Sequence, residues 1–299
     1  MRRAALIVNP FATGVSEESL GAVRAALSRY AELETLLTER PRHATELATG
    51  ALRDGFDALF VFSGDGGFNE VVNGIEGDVP LGFIPGGGTS VLPRALGLSR
   101  DPVAAARRVG EALELGRTRR ISLGRVNGRR FAFSAGMGID AESVRRFNAL
   151  GRDSDGHRPG DLRFALTLAG VLRSRGFRYE PAAELEDVGP VAFVIVSNCE
   201  TFTYAGALRL SLTPRARFED GLDAVAPRRI RPRDVPRLAG YLFTRVEALR
   251  GSGVEYLHDR DRIEVRCTRP LPLQADGEDL GDVEEAVFEC DRGAVSVLV

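Results

Sequence analysis

The sequence predicts an α/β domain over residues 1–120, built on a parallel, Rossmann-like sheet, and a β-rich antiparallel sandwich domain over residues 121–299, with the last strand free to return to the first domain. Three observations predict it. Apolar runs alternate with amphipathic stretches through about residue 115, as in repeated βα units around a parallel sheet. Beyond about Ser122, short strand-like runs dominate and crossover helices become few, which favours antiparallel pairing. Glycine clusters directly follow two of the early strands, where α/β sheets gather ligands.

The elements follow in order. Ala4–Val8 is a continuous apolar run, the pattern of a strand buried on both faces. Leu20, Val23 and Leu27 recur at helical spacing and make Glu17–Tyr30 a helix. Leu33–Leu37 reads as a strand and His43–Arg53 as a helix. Asp57–Phe62 is the clearest buried strand; it runs into Ser63-Gly64-Asp65-Gly66-Gly67, with a short helix from Phe68 to Ile75. Leu81–Ile84 ends at Pro85-Gly86-Gly87-Gly88, and Pro102–Leu115 is helical. In the second domain, strands are expected at 121–126, 130–134, 178–185, 191–197, 208–212, 222–226, 262–267, 283–289 and 294–299, and helices near 140–150, 161–174 and 232–250. The polar stretch 151–160 reads as a mobile loop.

Composition removes several kinds of site. The chain has no lysine, so all 40 basic side chains are arginine, and its histidines are His43, His157 and His258. A Walker P-loop, a protein-kinase site and Schiff-base chemistry all need lysine, and scattered histidines leave no HExxH zinc motif. Phosphate must then be met by backbone amides, arginine or a metal ion. A net charge of −2 argues against a nucleic-acid partner. Cys199, Cys267 and Cys290 show neither disulfide-framework nor CxxC spacing, which points to a reducing cytoplasm. The apolar run after Met1 stops at Asn9-Pro10, short of a signal h-region, and no stretch is long enough to span a bilayer.

The segment from Ser63 to Gly74, SGDGGFNEVVNG, carries the strongest chemical signal. Glycines let a backbone approach phosphate closely and present amide donors, and a helix N-terminus adds positive potential. Asp65 cannot itself hold phosphate; it suits a bound Mg²⁺, a ribose or an attacking hydroxyl. Pro85-Gly86-Gly87-Gly88-Thr89-Ser90 repeats the arrangement at the next strand end. Neither loop is GxGxxG, so the dinucleotide fingerprint is absent. The plain alternative for Asp65 is an ordinary βα turn, and for Asp276-Gly277-Glu278 a hairpin turn.

Asn9-Pro10 with Gly14, the SGDGG-x-NEVVNG loop and PGGGT-x6-ALGL together resemble the diacylglycerol kinase catalytic domain, of the superfamily shared with sphingosine kinases and NAD kinases. The resemblance continues through Gly136-Met137-Gly138-Ile139-Asp140-Ala141, Asn198, Tyr204-Ala205-Gly206, Pro214, Asp220-Gly221-Leu222-Asp223 and Asp276-Gly277-Glu278, in the family's order. It is closest to the soluble bacterial lipid kinases. It implies a nucleotide-binding first domain, a lipid-substrate second domain, and ATP- and Mg²⁺-dependent phosphorylation of diacylglycerol to phosphatidic acid.

The same resemblance assigns roles. Asn9, Thr13, Gly14, Gly64, Asp65, Gly66, Gly67, Gly88 and Thr89 would meet the nucleotide phosphates, with Arg40 and His43 at the edge of the adenine site. Asp276 would be the general base, aided by Glu278; Asp140 would join an acidic network with Asp65. Asp220 and the carbonyl of Leu222 would hold Mg²⁺. The implied partner is a membrane lipid met by peripheral contact from the cytoplasm, with a homodimer left open. Five arginines against one aspartate between Pro227 and Arg237 offer a surface for anionic lipid.

Two departures stand out. The family's GGDGT is SGDGG, with Ser63 and Gly67 replacing glycine and threonine, and an asparagine and an acid are missing from Thr89-Ser90-Val91-Leu92-Pro93. Serine at the first position resembles the sphingosine kinases. The readings in competition are a sphingoid-base or other lipid kinase, an NAD kinase and a non-catalytic lipid-binding protein of this fold. A serine hydrolase using Ser134, Asp223 and His258 is a more distant rival.

Overall fold

A computed structural model describes residues 2–151, 161–241 and 253–299. These fall into two compact units: the first holds 2–121 and 293–299, the second the described residues between 122 and 292.

The first unit opens with β1 (Arg2–Val8), α1 (Glu17–Leu27), β2 (Ala31–Leu37), α2 (His43–Arg53), β3 (Ala58–Ser63) and α3 (Asp65–Gly74). It continues with β4 (Pro80–Pro85), α4 (Val91–Ala95), α5 (Pro102–Glu114) and the start of β5 (Thr118–Val126). The order β2-β1-β3-β4 is parallel throughout, and Ser296 and Val297 at the chain's end add a further parallel partner to β4. Every residue of β3 is buried, as its uninterrupted apolar sequence requires. On one face Leu6, Val8, Phe60 and Phe62 pack with Val23, Leu27, Val109 and Leu113, each large side chain contributing about 1.5–3 kcal/mol by burial.

Local chemistry sets the helix starts. Ser16 and Ser19 form a reciprocal capping box on α1, and Asp101 caps α5 ahead of Pro102. The N-terminus of α2 is capped from another helix: Glu70 of α3 accepts from the amides of Arg42 (3.0 Å) and Ala44 (3.1 Å).

The second unit contains β6 (Arg129–Phe131), β7 (Ser134–Met137), α6 (Ile139–Ala149), α7 (Asp161–Ser174), β8 (Ala183–Leu185), β9 (Gly189–Val191) and β10 (Val194–Ser197). The hairpin β11 (Thr203–Ala205) and β12 (Leu208–Leu210) precedes β13 (Leu222–Pro227), α8 (Val235–Tyr241), β14 (Val254–Arg260), β15 (Arg262–Ala275) and β16 (Glu278–Leu298). Neighbours in the order β14-β13-β10-β7-β15-β16 pair antiparallel. Met137, Val194, Val196, Leu222, Val265 and Phe288 form its apolar core.

The predicted class therefore holds: parallel strands with helices first, antiparallel strands afterwards. Several boundaries differ. The glycines at 66 and 67 lie in the first turn of α3, not in a loop before it, because first-turn amides need no intrahelical partner. The strands expected at 283–289 and 294–299 are one strand, β16. The expected strand at 178–185 shrinks to β8, with Tyr179 forming an isolated bridge to Ile230. Apart from Gly151, the loop reading of 151–160, with His157, lies outside the described residues, as does the end of the 232–250 helix from residue 242. No helix among the described residues is long and apolar enough to cross a membrane.

Candidate active site

The parallel register brings three turns of the first unit together. Val8 pairs with Phe62, Phe62 with Ile84 and Ser63 with Pro85, so β1, β3 and β4 end at one level. Backbone bonds then join the turns: Asn9 N–H to Phe62 O (3.1 Å), Gly86 N–H to Ser63 O (2.7 Å) and Gly14 N–H to Gly86 O (2.7 Å). Asn9 braces the first turn by accepting from the Phe11 amide at 3.0 Å. A Cβ on Gly87 would stand 2.8 Å from the Gly64 Cα, so the second and third turns touch through their glycines. Gly88 is exposed and Thr89 half-buried at the open side, while Thr13 and Gly14 are exposed on the first turn.

The α3 N-terminus opens into this group. Its first turn carries no side-chain cap, and the positive end of the helix dipole lies there, which favours an anion. Asp65 faces elsewhere: its carboxylate accepts from Val91 N–H at 3.0 Å and Leu92 N–H at 3.1 Å, capping α4. This is the segment where the family's asparagine and acid are missing. Arg40 is engaged by Glu46 (Nη1–Oε1 2.8 Å), which raises its pKa, and His43 Nδ1 accepts from the Glu39 amide at 3.1 Å.

A second group forms in the other unit around the β15–β16 hairpin. Asp276 and Gly277 are its two loop residues, with φ of 47° and 81°, the type I′ geometry that Asp-Gly favours. Asp276 is only 4% exposed. Its carboxylate accepts from the amides of Ala132 (2.6 Å), Phe133 (3.0 Å) and Ser134 (3.1 Å). Glu278 pairs with Arg129. Asp140, in the first turn of α6 and 5% exposed, accepts from Gln274 Nε2 at 2.5 Å, and Gln274 Oε1 accepts from the Gly277 amide at 3.0 Å. The hairpin is thus tied to α6 by Gln274, a residue the sequence reading passed over. A polar residue among the apolar positions of Leu271–Ala275, directly before the Asp-Gly turn, was the available signal.

Burial pushes the Asp140 carboxyl up to about 6, against the lowering influence of the Gln274 bond. A group whose folded pKa lies above its unfolded value contributes stability fully below the unfolded value, near 3.8, and loses it as pH rises through about 6. Asp140→Asn is expected to flatten that decline and raise the melting temperature at pH 8 more than at pH 4. Equal shifts at both pH values would contradict a buried, titrating Asp140.

Asp220 is half-buried before β13. Among the described residues no group of three His, Cys, Asp or Glu side chains converges to hold a metal. Beside it, Gly221 donates to Asp259 Oδ1 at 2.7 Å, and Arg292 pairs with Asp259 (2.7 Å) and Asp261 (2.5 Å). The positive charge near this turn is an arginine, and a protein-built cage does not fit; Asp220 and the Leu222 carbonyl could offer two ligands to a hydrated Mg²⁺.

His258 is half-buried, its Nδ1 2.8 Å from Asp223 Oδ1. Ser134 does not complete a hydrolase triad. It opens β7 as a buried strand residue, and Ser197 lies between it and Asp223 in register; a nucleophile elbow needs an exposed strand-to-helix turn.

Residues 3–126 match the sequence model of the diacylglycerol kinase catalytic domain. The chain belongs to this family. A protein of Streptococcus pneumoniae serotype 4, provisionally named a lipid kinase, is 30% identical over 205 residues, covering 66% of each chain. The diacylglycerol kinase of Bacillus subtilis strain 168 is 34% identical over 143 residues, 46% of each chain. The matched stretch is thus less than half the length of the second relative. A crystal structure of a diacylglycerol kinase from Bacillus anthracis str. Sterne superimposes with a TM-score of 0.72 at 19% identity, over 99% of this chain and 96% of that one. The shared fold therefore extends through the β-rich unit, beyond the stretch matched by the family's sequence model.

Proposed function

We propose that this member of the diacylglycerol kinase family is an ATP- and Mg²⁺-dependent lipid kinase that phosphorylates the hydroxyl of diacylglycerol to give phosphatidic acid. One observation carries the reading: three level, glycine-lined turns beside the uncapped α3 N-terminus. This is a phosphate cradle that needs no lysine. Its fit to a triphosphate rests on the Gly64–Gly87 approach and on the positive end of the α3 dipole. Bound ATP supplies the transferable phosphoryl group, and Mg²⁺ offsets its charge.

The chain's own residues would position and deprotonate. Asn9, Thr13, Gly14, Gly64, Gly66, Gly67, Gly88 and Thr89 would hold the phosphates, and Arg40 would border the base. Asp65 would act by fixing α4 beside them. Asp276 would accept the lipid hydroxyl proton, with Glu278 and Asp140 shaping its hairpin. Phosphoryl transfer is largely a matter of such positioning. Peripheral docking to an anionic leaflet would use Arg229, Arg233 and Arg237, which are exposed, whereas Arg228 is held by Glu255 at 2.8 Å.

The test is phosphate transfer from radiolabelled ATP to vesicles bearing diacylglycerol, sphingosine, ceramide, phosphatidylglycerol or polyprenol, with soluble NAD as a further acceptor. Diacylglycerol is expected to label fastest, and faster on anionic vesicles. The second reading, a sphingoid-base kinase, is favoured by Ser63 and would show as preferential labelling of sphingosine. Labelling of NAD alone, or of nothing, would overturn the lipid kinase.

A further inference from the structure

We infer that Ser63 and Gly67 form one compensated exchange, in which the Ser63 hydroxyl fills the room a side chain at position 67 would need and so positions the first turn of α3 for phosphate. The observation is steric. A Cβ on Gly67 would lie 2.1 Å from Ser63 Oγ and 2.7 Å from Ser63 Cβ, closer than real atoms approach. With serine placed as it is at 63, any side chain at 67 would force the serine or the turn to shift. With glycine at 63, the notch under the turn is free for a side chain at 67, as in the family's GGDGT. The pattern places the hydroxyl on the last residue of that motif; this chain places it on the first.

The second observation is chemical. Ser63 is 1% exposed and, among the described residues, its Oγ has no hydrogen-bond partner. Buried polar groups are ordinarily paired, and an exception calls for a local role. This one lies against the turn whose amides carry no side-chain cap. The Ser63 backbone is fixed as well, since its carbonyl accepts from Gly86 N–H at 2.7 Å. The serine thus touches both β4's turn and α3's turn. Ser63 is a positioning residue, acting on nucleotide through the placement of the first turn of α3. The exchange also removes one reason for reading the chain as a decayed, non-catalytic relative, because each departure makes sense of the other.

This inference rests on the kinase reading for its ligand, and a double-mutant cycle separates the two. Gly67→Thr alone is expected to lower the melting temperature and raise KM for ATP. Ser63→Gly alone should raise KM for ATP while leaving KM for the lipid unchanged. The double variant Ser63→Gly/Gly67→Thr should return KM for ATP to within about threefold of the parent and restore the melting temperature, far from additive. Additive losses would overturn the exchange. Ser63→Ala, which keeps the Cβ and removes the hydroxyl, should raise KM for ATP about tenfold through a displaced α3 turn, with the melting temperature held. An unmoved KM for ATP would overturn the positioning role. If the parent labels no acceptor, the kinase reading falls. The exchange is then decided by melting temperature alone: recovery in the double variant supports it and additivity overturns it.

Discussion

Asp65→Asn is expected to lower kcat/KM by about 10²-fold and to lower the melting temperature with it. The two effects have one source. Asp65 accepts from the amides of both Val91 and Leu92. The α4 helix it caps is five residues long and has no side-chain cap from its own N-cap residue, Ser90, which sits at φ 48°. So short a helix does not hold itself. Asparagine offers one acceptor and turns donors toward an amide that is itself a donor. One charge-assisted bond is lost, worth about 1.5–3 kcal/mol. Thr89 stands one residue before the N-cap Ser90 of α4, so its place beside the phosphate turns depends on that cap. Steady-state kinetics with parallel melting curves checks this; near-normal rates in Asp65→Asn would refute the role.

Asp276→Asn should reduce turnover by about 10²–10⁴-fold, the range for loss of a general base, while ATP binding is retained. Asparagine suits the test because the position has φ 47° and Asn-Gly is as good a type I′ turn as Asp-Gly. The rival account is also visible: the carboxylate is a clasp for three amides on Ala132, Phe133 and Ser134. If the clasp were its whole purpose, the variant would melt lower and turn over normally. Measuring kcat, ATP affinity and melting temperature on one preparation separates the two, and a preserved kcat sinks the base.

Much of this was legible in the sequence where local rules decide. β3 is buried from end to end, and its apolar run says so; α2 was bounded correctly at His43–Arg53. Asp276-Gly277 reads as a turn from composition alone. The reading failed where a distant partner decides. β14 carries the mixed sequence VEYLHDR, without clean alternation, and becomes a strand by pairing with β13. α4 contains Pro93, and its amides are met by Asp65, 26 and 27 positions away. The Ser63–Gly67 contact hides for a related reason. Each residue looks like a separate loss until the backbone brings them within one van der Waals shell.

The final strand has a consequence for biogenesis. β4's outer neighbour in the first unit is Ser296 and Val297, which a ribosome makes long after β4 itself. Until they emerge, β4 presents an unpaired edge, the kind of surface that recruits foreign strands. The N-terminal unit therefore cannot be completed as it is synthesised, and residues 1–121 expressed alone would carry that exposed edge permanently. A split-gene experiment would have to supply the C-terminal segment as a complementing peptide.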